Sequence, residues 1–168
     1  MKIGIITVSD KGSKNERKDL SGPAIKDFFI KKMLINDFEY QIVADEKEQI
    51  KKALLDFVNK NCNLIFTTGG TGFGDRDVTP EATKEVIEKD VPGIPEAVRF
   101  ESYKITKKAM LSRACAGIKN KTLIINLPGS PKACVESLEI ILPVLLHALE
   151  VLFQGSAECG SDKYIKED

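Results

Sequence analysis

Apolar positions along the chain fall into two alternating rhythms. KIGIITV (Lys2–Val8) is a nearly continuous apolar run rich in β-branched residues, the pattern of a strand buried on both faces. SGPAIKDFFIKKML follows with Pro23 just inside a helix start and Ile25, Phe28 and Phe29 on one face. FEYQIVAD (Phe38–Asp45) predicts a second strand. DEKEQIKKALLDFVNK predicts a helix, with Ile50, Ala53, Leu54, Phe57 and Val58 at helical spacing. LIFTT (Leu64–Thr68) is a third strand, and TPEATKEVIEK a helix with Thr79 as N-cap and Pro80 at its first position. A turn and then a helix from about Pro95 occupy the segment Val91–Ala109. LSRACAGIKNKTLIINLPGSP predicts two strands joined by the polar turn KNK as an antiparallel pair. The last element, KACVESLEIILPVLLHALEVLF, is a mostly apolar helix expected to kink or break near Pro143.

Strands alternating with helices predict an α/β fold: a doubly wound, mostly parallel sheet with helices on both faces and a small antiparallel edge. A length of 168 residues suits one domain over 1–168, with residues from roughly 155 to 168 expected as an extended or mobile tail. Such sheets bind ligands beyond the C-terminal ends of their strands. The chain's least ordinary loops fall there: SDKGS, ADE, GGTGFGDRD and NLPGSP.

Charge narrows the partners. With 25 basic and 25 acidic residues the net charge is zero, so no global field draws in nucleic acid or an anionic membrane, and neither is expected as a partner. The N-terminal apolar run lacks the length and cleavage site of a signal peptide. The uncharged stretch IILPVLLHAL falls well short of the roughly 20 residues a membrane span needs. A cytoplasmic protein is expected. Cys62, Cys115, Cys134 and Cys159 show no CxxC spacing and no histidine partner, so they are expected as reduced thiols rather than zinc ligands or disulfides.

The stretch TTGGTGFGDRDVTPEAT (Thr67–Thr83) carries the most chemistry. Gly69, Gly70 and Gly72 let the backbone turn left-handed and bring its N–H groups near an anion, most often phosphate. No lysine follows for a P-loop, and the GxGxxG spacing fails at Asp75. Asp77, with Asp75 and Arg76 beside it, would repel a phosphate unless a cation such as Mg²⁺ bridges them, a combination that points to nucleotide phosphate chemistry.

That stretch resembles the signature of the MoaB/Mog family of molybdenum-cofactor biosynthesis, which includes the corresponding domains of gephyrin and its plant counterpart. The resemblance continues, in order, through TVSDKGS, DLSGPAI, VADEKEQI, LSRACAG and IINLPGSPKA. It implies molybdopterin adenylyltransferase activity: AMP is moved from ATP to the terminal phosphate of molybdopterin with Mg²⁺, and pyrophosphate leaves. It also implies a homotrimer or a hexamer and a downstream metal-insertion protein as partner. By position it implies Asp45 and Asp77 as catalytic and Mg²⁺-holding residues. Ser9, Gly69, Gly70, Thr71, Gly72, Arg76, Thr79, Ser112, Asn126, Pro128, Gly129 and Ser130 would contact the pterin or the phosphates. The family commonly has proline where this chain has Ala44.

Several of these residues have plainer explanations. Asp45 opens a helix with Glu48 three residues on, a capping-box pattern that alone explains an acid there. Asp77 is too early to cap the helix at Thr79. Ser130, before Pro131, suits an N-cap, and a capped helix start is also an anion site. Arg76 suits either a phosphate or a pairing with Asp75, and Arg113 and Lys132 are further candidates for positive charge. His147, the single histidine, is expected in the core or an interface. Two other functions stay open: a molybdopterin-binding carrier or regulatory module of MoaB type, and a pyridine-nucleotide enzyme on a related domain.

Overall fold

A computed structural model describes residues 1–154. The predicted rhythm becomes β1 (Lys2–Val8), α1 (Asp10–Ser13), α2 (Ser21–Met33), β2 (Asp37–Val43), α3 (Lys47–Asn59), β3 (Leu64–Thr68), α4 (Thr79–Val86), β4 (Lys89–Asp90), α5 (Gly93–Ile105), a 3-10 turn (Lys107–Leu111), β5 (Ala116–Lys119), β6 (Thr122–Leu127) and α6 (Pro131–Gln154). The six strands form one sheet in the order β2-β1-β3-β6-β5-β4. The first four are parallel, and β5 and β4 add the antiparallel edge.

Period-two alternation decides what each face of the sheet meets. Ile3, Ile5, Leu64, Phe66, Leu123 and Ile125 join a core with Ile25 and Phe29 of α2 and Leu138, Ile141 and Leu145 of α6. The residues between them, Ile6, Val8, Ile65 and Ile124, pack with Ile50, Leu54 and Phe57 of α3 and Ala82 and Val86 of α4. Phe29 stacks on Phe66 with ring centroids 5.3 Å apart. The doubly wound fold follows: α2 crosses on one face from β1 to β2, and α3 returns on the other to β3. The winding reverses between β1 and β3, and the loops leaving their C-terminal ends open a crevice there.

Three expectations are corrected, and the boundary of one further element is refined. The second strand stops at Val43, whose carbonyl accepts the Ser9 N–H at 2.9 Å, leaving Ala44 and Asp45 to turn. The helix expected from Pro95 starts at Gly93. The last helix runs through Pro143 unbroken. Pro143 is exposed, and Leu138, Ile141, Leu145 and Leu149 hold that helix to the core, which outweighs one missing backbone donor. Of the two places expected for His147, the core is ruled out: its side chain is half exposed beside Glu150, 4.0 Å away.

Cys62, Cys115 and Cys134 are buried free thiols, each pushed up to about 11 by burial. Cys159 and the expected tail at 155–168 lie outside the described residues. Among the described residues no helix is long and apolar enough to cross a membrane.

Candidate functional site

The glycine loop leaves β3 and turns twice through positive φ, at Gly69 (99°) and Gly70 (64°). A Cβ on Gly69 would run into the Val8 carbonyl of β1, and one on Gly70 into the Thr79 hydroxyl. Thr79 explains why. Its hydroxyl donates to the Gly69 carbonyl at 2.9 Å and its N–H to the Gly70 carbonyl at 3.1 Å, so the start of α4 staples the turn. Thr79 therefore lies inside α4 and does not cap it; Val78 occupies that position with no side-chain bond. The N–H groups of Gly70, Thr71 and Gly72 find no backbone acceptor among the described residues, which leaves them available to an anion.

Beyond the turn, Asp77 Oδ2 accepts the Gly74 N–H at 2.8 Å, and a Cβ on Gly72 would sit 2.9 Å from the same oxygen. Arg113 clamps the loop from the other side. Its Nε donates to the Gly72 carbonyl at 2.6 Å and its other nitrogens to the Asp77 carbonyl and Glu81, so its charge is taken up within the protein. Lys132 is 81% exposed and lines neither of the clefts beside the turn; it pairs loosely, at 3.6 Å, with Glu136, which lines the apolar one.

Asp45 faces this loop from the end of β2. It is not a helix cap: α3 begins at Lys47 after Glu46, and no side chain caps it. Asp45 Oδ2 instead accepts the Asp10 N–H at 2.6 Å, while Oδ1 points towards Gly70, 3.4 Å from where a Cβ would stand. Burial raises the Asp45 carboxyl above the usual carboxylate range, and the charges of Asp10 and Asp77 add to the rise. Arg76 does not pair with Asp75, its neighbour in sequence. Its guanidinium grips Asp10 in two bonds, at 3.1 and 3.0 Å, and reaches Glu46 at 2.7 Å. The Arg76 hydrogen bond holds the Asp10 carboxyl below its ordinary value.

No group of three or more His, Cys, Asp or Glu side chains forms a metal cage among the described residues. Two hard carboxylates, Asp45 and Asp77, on either flank of available backbone N–H groups are the oxygen donors that would suit a Mg²⁺ ion, a cation that commonly takes one or two carboxylates.

Clefts open on both sides of the turn. One, of about 350 Å³, is lined by Ser9, Arg17, Lys18, Ser21, Gly69 and Gly129. The other, of about 300 Å³, is mainly apolar, with Ile94, Val98 and Leu111 beside Thr71, Gly72, Ser112 and Pro128. The two walls from the last strand are pinned, Gly129 by the Ser21 hydroxyl at 2.9 Å and Pro128 by Thr68 at 2.7 Å.

Most of the residues singled out from the sequence thus gather at one crevice. Ser9 also caps α1 by accepting the Gly12 N–H at 3.1 Å. Ser130 is the N-cap of α6, with its hydroxyl 3.4 Å from the Ala133 N–H, but lies outside both clefts. Asn126 differs: its amide donates to Thr67 and Thr83 and accepts from Cys115, so all its bonding capacity is used inside the protein. It braces the site and has no free atom for a ligand. Sequence reasoning missed Asp10, Arg17 and Lys18. The position of SDKGS at the ligand-binding end of the sheet is the available signal for Asp10, whereas Arg17 and Lys18 look like solvated charges until the loop between α1 and α2 sets them at the rim of the crevice.

Comparison with known proteins identifies the family. Residues 4–147 match the family described as "Probable molybdopterin binding domain". The chain is 46% identical over 153 residues to a molybdopterin adenylyltransferase of Helicobacter pylori strain J99, covering 89% of this chain and 86% of that protein. Among solved structures it resembles the molybdopterin biosynthesis enzyme MoaB of Thermus thermophilus, with a TM-score of 0.82, 45% identity and coverage of 91% and 96%. It also resembles MogA, with a TM-score of 0.86, 35% identity and coverage of 90% and 99%. A match over most of the chain, together with the shared fold, shows that the chain belongs to the molybdopterin-binding domain family of the MoaB and Mog proteins.

Proposed function

We propose that the protein is a molybdopterin adenylyltransferase of molybdenum-cofactor biosynthesis, transferring AMP from ATP to the terminal phosphate of molybdopterin. The observation that carries this reading is the convergence of Asp45 and Asp77, from different strands, on a glycine turn with available N–H groups and a cleft on each side. The relatives named as adenylyltransferases support it.

The apolar cleft with Ser112 suits the fused ring of the pterin, and the cleft with Arg17 and Lys18 suits the nucleotide phosphates. A pterin phosphate oxygen attacks the α-phosphorus of ATP; a P–O–P bond forms as the bond to pyrophosphate breaks. The phosphate nucleophile is already ionised near neutral pH, so the protein's task is orientation and charge neutralisation rather than proton removal. Gly70, Thr71 and Gly72 aim fixed N–H dipoles at the transferring group, while Arg113 and Thr79 keep the turn from collapsing. Asp45 and Asp77 would hold Mg²⁺, which when bound supplies positive charge between the two anionic reactants.

The reading includes a homotrimer or hexamer, a cytoplasmic location and a downstream metal-insertion protein that takes the adenylylated pterin. The exposed Phe100, Ile105 and Met110 are apolar surface that an assembly would cover.

The test mixes protein with molybdopterin, ATP and Mg²⁺ and follows adenylylated pterin and pyrophosphate, with Asp77→Ala in parallel. Both products from the wild type and neither from the variant, with pterin binding kept in both, are expected. Pterin binding without AMP transfer in either protein would replace this reading with the carrier or regulatory module.

A further inference from the structure

Three loops meet at the crevice, and Asp10 bonds to both of the others. Its N–H donates to Asp45 Oδ2 at 2.6 Å, and its Oδ1 accepts the Asp45 N–H at 3.1 Å. Oδ1 and Oδ2 together receive Arg76 Nη2 at 3.0 Å and Nε at 3.1 Å. Arg76 directly precedes Asp77 and continues to Glu46, the neighbour of Asp45. One aspartate therefore ties the end of β1 to the carboxylate after β2 and to the residue beside the carboxylate after β3.

We propose that Asp10 is a positioning residue for the metal-dependent step, setting where Asp45 and Asp77 stand relative to each other. Asp10 does not touch the substrates; it acts through its two neighbours. Its carboxylate accepts the Asp45 N–H and so fixes the backbone that carries Asp45, while the backbone N–H of position 10 takes Oδ2 and leaves Oδ1 turned to the glycine turn as the coordinating oxygen. By gripping Arg76 with two parallel bonds it fixes the chain where Asp77 begins, a geometry a single contact would not enforce.

A purely structural role makes a different prediction. The Arg76 and Asp10 side chains are 54% and 36% exposed, and ion pairs in that setting contribute little to global stability. Removing the grip should leave the fold nearly as stable while weakening metal binding. Partners that orient metal ligands are typically worth about 10- to 100-fold in affinity.

The inference rests on the Mg²⁺ reading of Asp45 and Asp77, and the experiment separates the two. Mn²⁺ binding is measured by electron paramagnetic resonance with α,β-methylene ATP, which cannot release pyrophosphate, in the wild type, Asp10→Ala, Asp10→Asn, Arg76→Met and the double variant Asp45→Asn/Asp77→Asn. The expected result is roughly tenfold weaker Mn²⁺ binding in Asp10→Ala and a melting temperature near that of the wild type. Asp10→Asn should recover only part of the affinity, because its one side-chain oxygen can still accept the Asp45 N–H and Arg76 Nη2 while its NH2 faces Arg76 Nε and loses the second bond.

Unchanged Mn²⁺ binding in Asp10→Ala overturns the inference while leaving the metal reading intact. Equal loss in Asp10→Asn and Asp10→Ala also overturns it, since the effect would then follow charge and not geometry. If the double variant binds Mn²⁺ as the wild type does, the metal reading fails and the inference falls with it. Should Asp10→Ala not fold, Arg76→Met decides: weakened binding supports the inference and unchanged binding overturns it.

Discussion

Asp10 and Asp45 hold each other by a reciprocal pair of hydrogen bonds, each backbone N–H donating to the other's carboxylate, at 2.6 and 3.1 Å. The arrangement keeps two like charges together because each also meets a donor, and Arg76 supplies two more to Asp10. An acid that looks like a helix cap is thereby turned away from its helix and towards the glycine turn.

Asp77→Asn should abolish AMP transfer, by more than the roughly 100-fold at the upper end for residues that only orient a metal ligand. The asparagine keeps an oxygen for the Gly74 N–H, so the loop stays folded. Steady-state pyrophosphate release against Mg²⁺ concentration, with pterin binding measured separately, checks it; activity within tenfold of the wild type would remove Asp77 from the site.

Gly69→Ala should destabilise the protein by about 2–3 kcal/mol, since a Cβ at positive φ meets the Val8 carbonyl of the central strand and neither backbone can yield cheaply. Urea denaturation followed by circular dichroism measures this directly. A loss under about 0.5 kcal/mol, ordinary for a neutral surface change, would show that the turn relaxes.

Asn126→Ala should cost about 1–3 kcal/mol, because it leaves the buried Thr67, Thr83 and Cys115 groups without their common partner. Pterin affinity, compared at a temperature where the variant is folded, should stay within a few-fold of the wild type. A large affinity loss in a stable variant would instead make Asn126 a ligand-binding residue.

The Asp10–Arg76 pair carries a pH signature. Arg76 lowers the Asp10 carboxyl below its ordinary value of 3.8. A carboxyl depressed in the folded state contributes stability that is present above the unfolded value and disappears as pH falls through the folded one. The wild type should therefore be slightly more stable than Arg76→Met at pH 6, and the gap should close on acidification below about 3.8. Paired denaturation curves at pH 6 and pH 3 test this; a gap that widens in acid would contradict the sign.

The order of strands and helices was set by local pattern, because a β-branched apolar run and a 3.6-residue stripe each have one way to bury themselves. The glycine turn was legible as a turn; its bare backbone alone fits any tight turn, and it was Asp77 beside it and the family's motifs that pointed to a site there with Asp45 and Ser112. Partner choice belonged to the tertiary structure. Thr79 looked like a cap until β3 delivered the Gly69 carbonyl to its hydroxyl. Arg76 had Asp75 next to it in sequence but found Asp10, 66 residues away. Arg113 offered a free charge until the folded loop presented it with two carbonyls. Capping and turn signals span three or four residues and can be read from neighbours. A long polar side chain satisfies itself with whatever the folded chain brings within about 3 Å, and for Arg76 and Asp10 that was the meeting of the loops after β1 and β3.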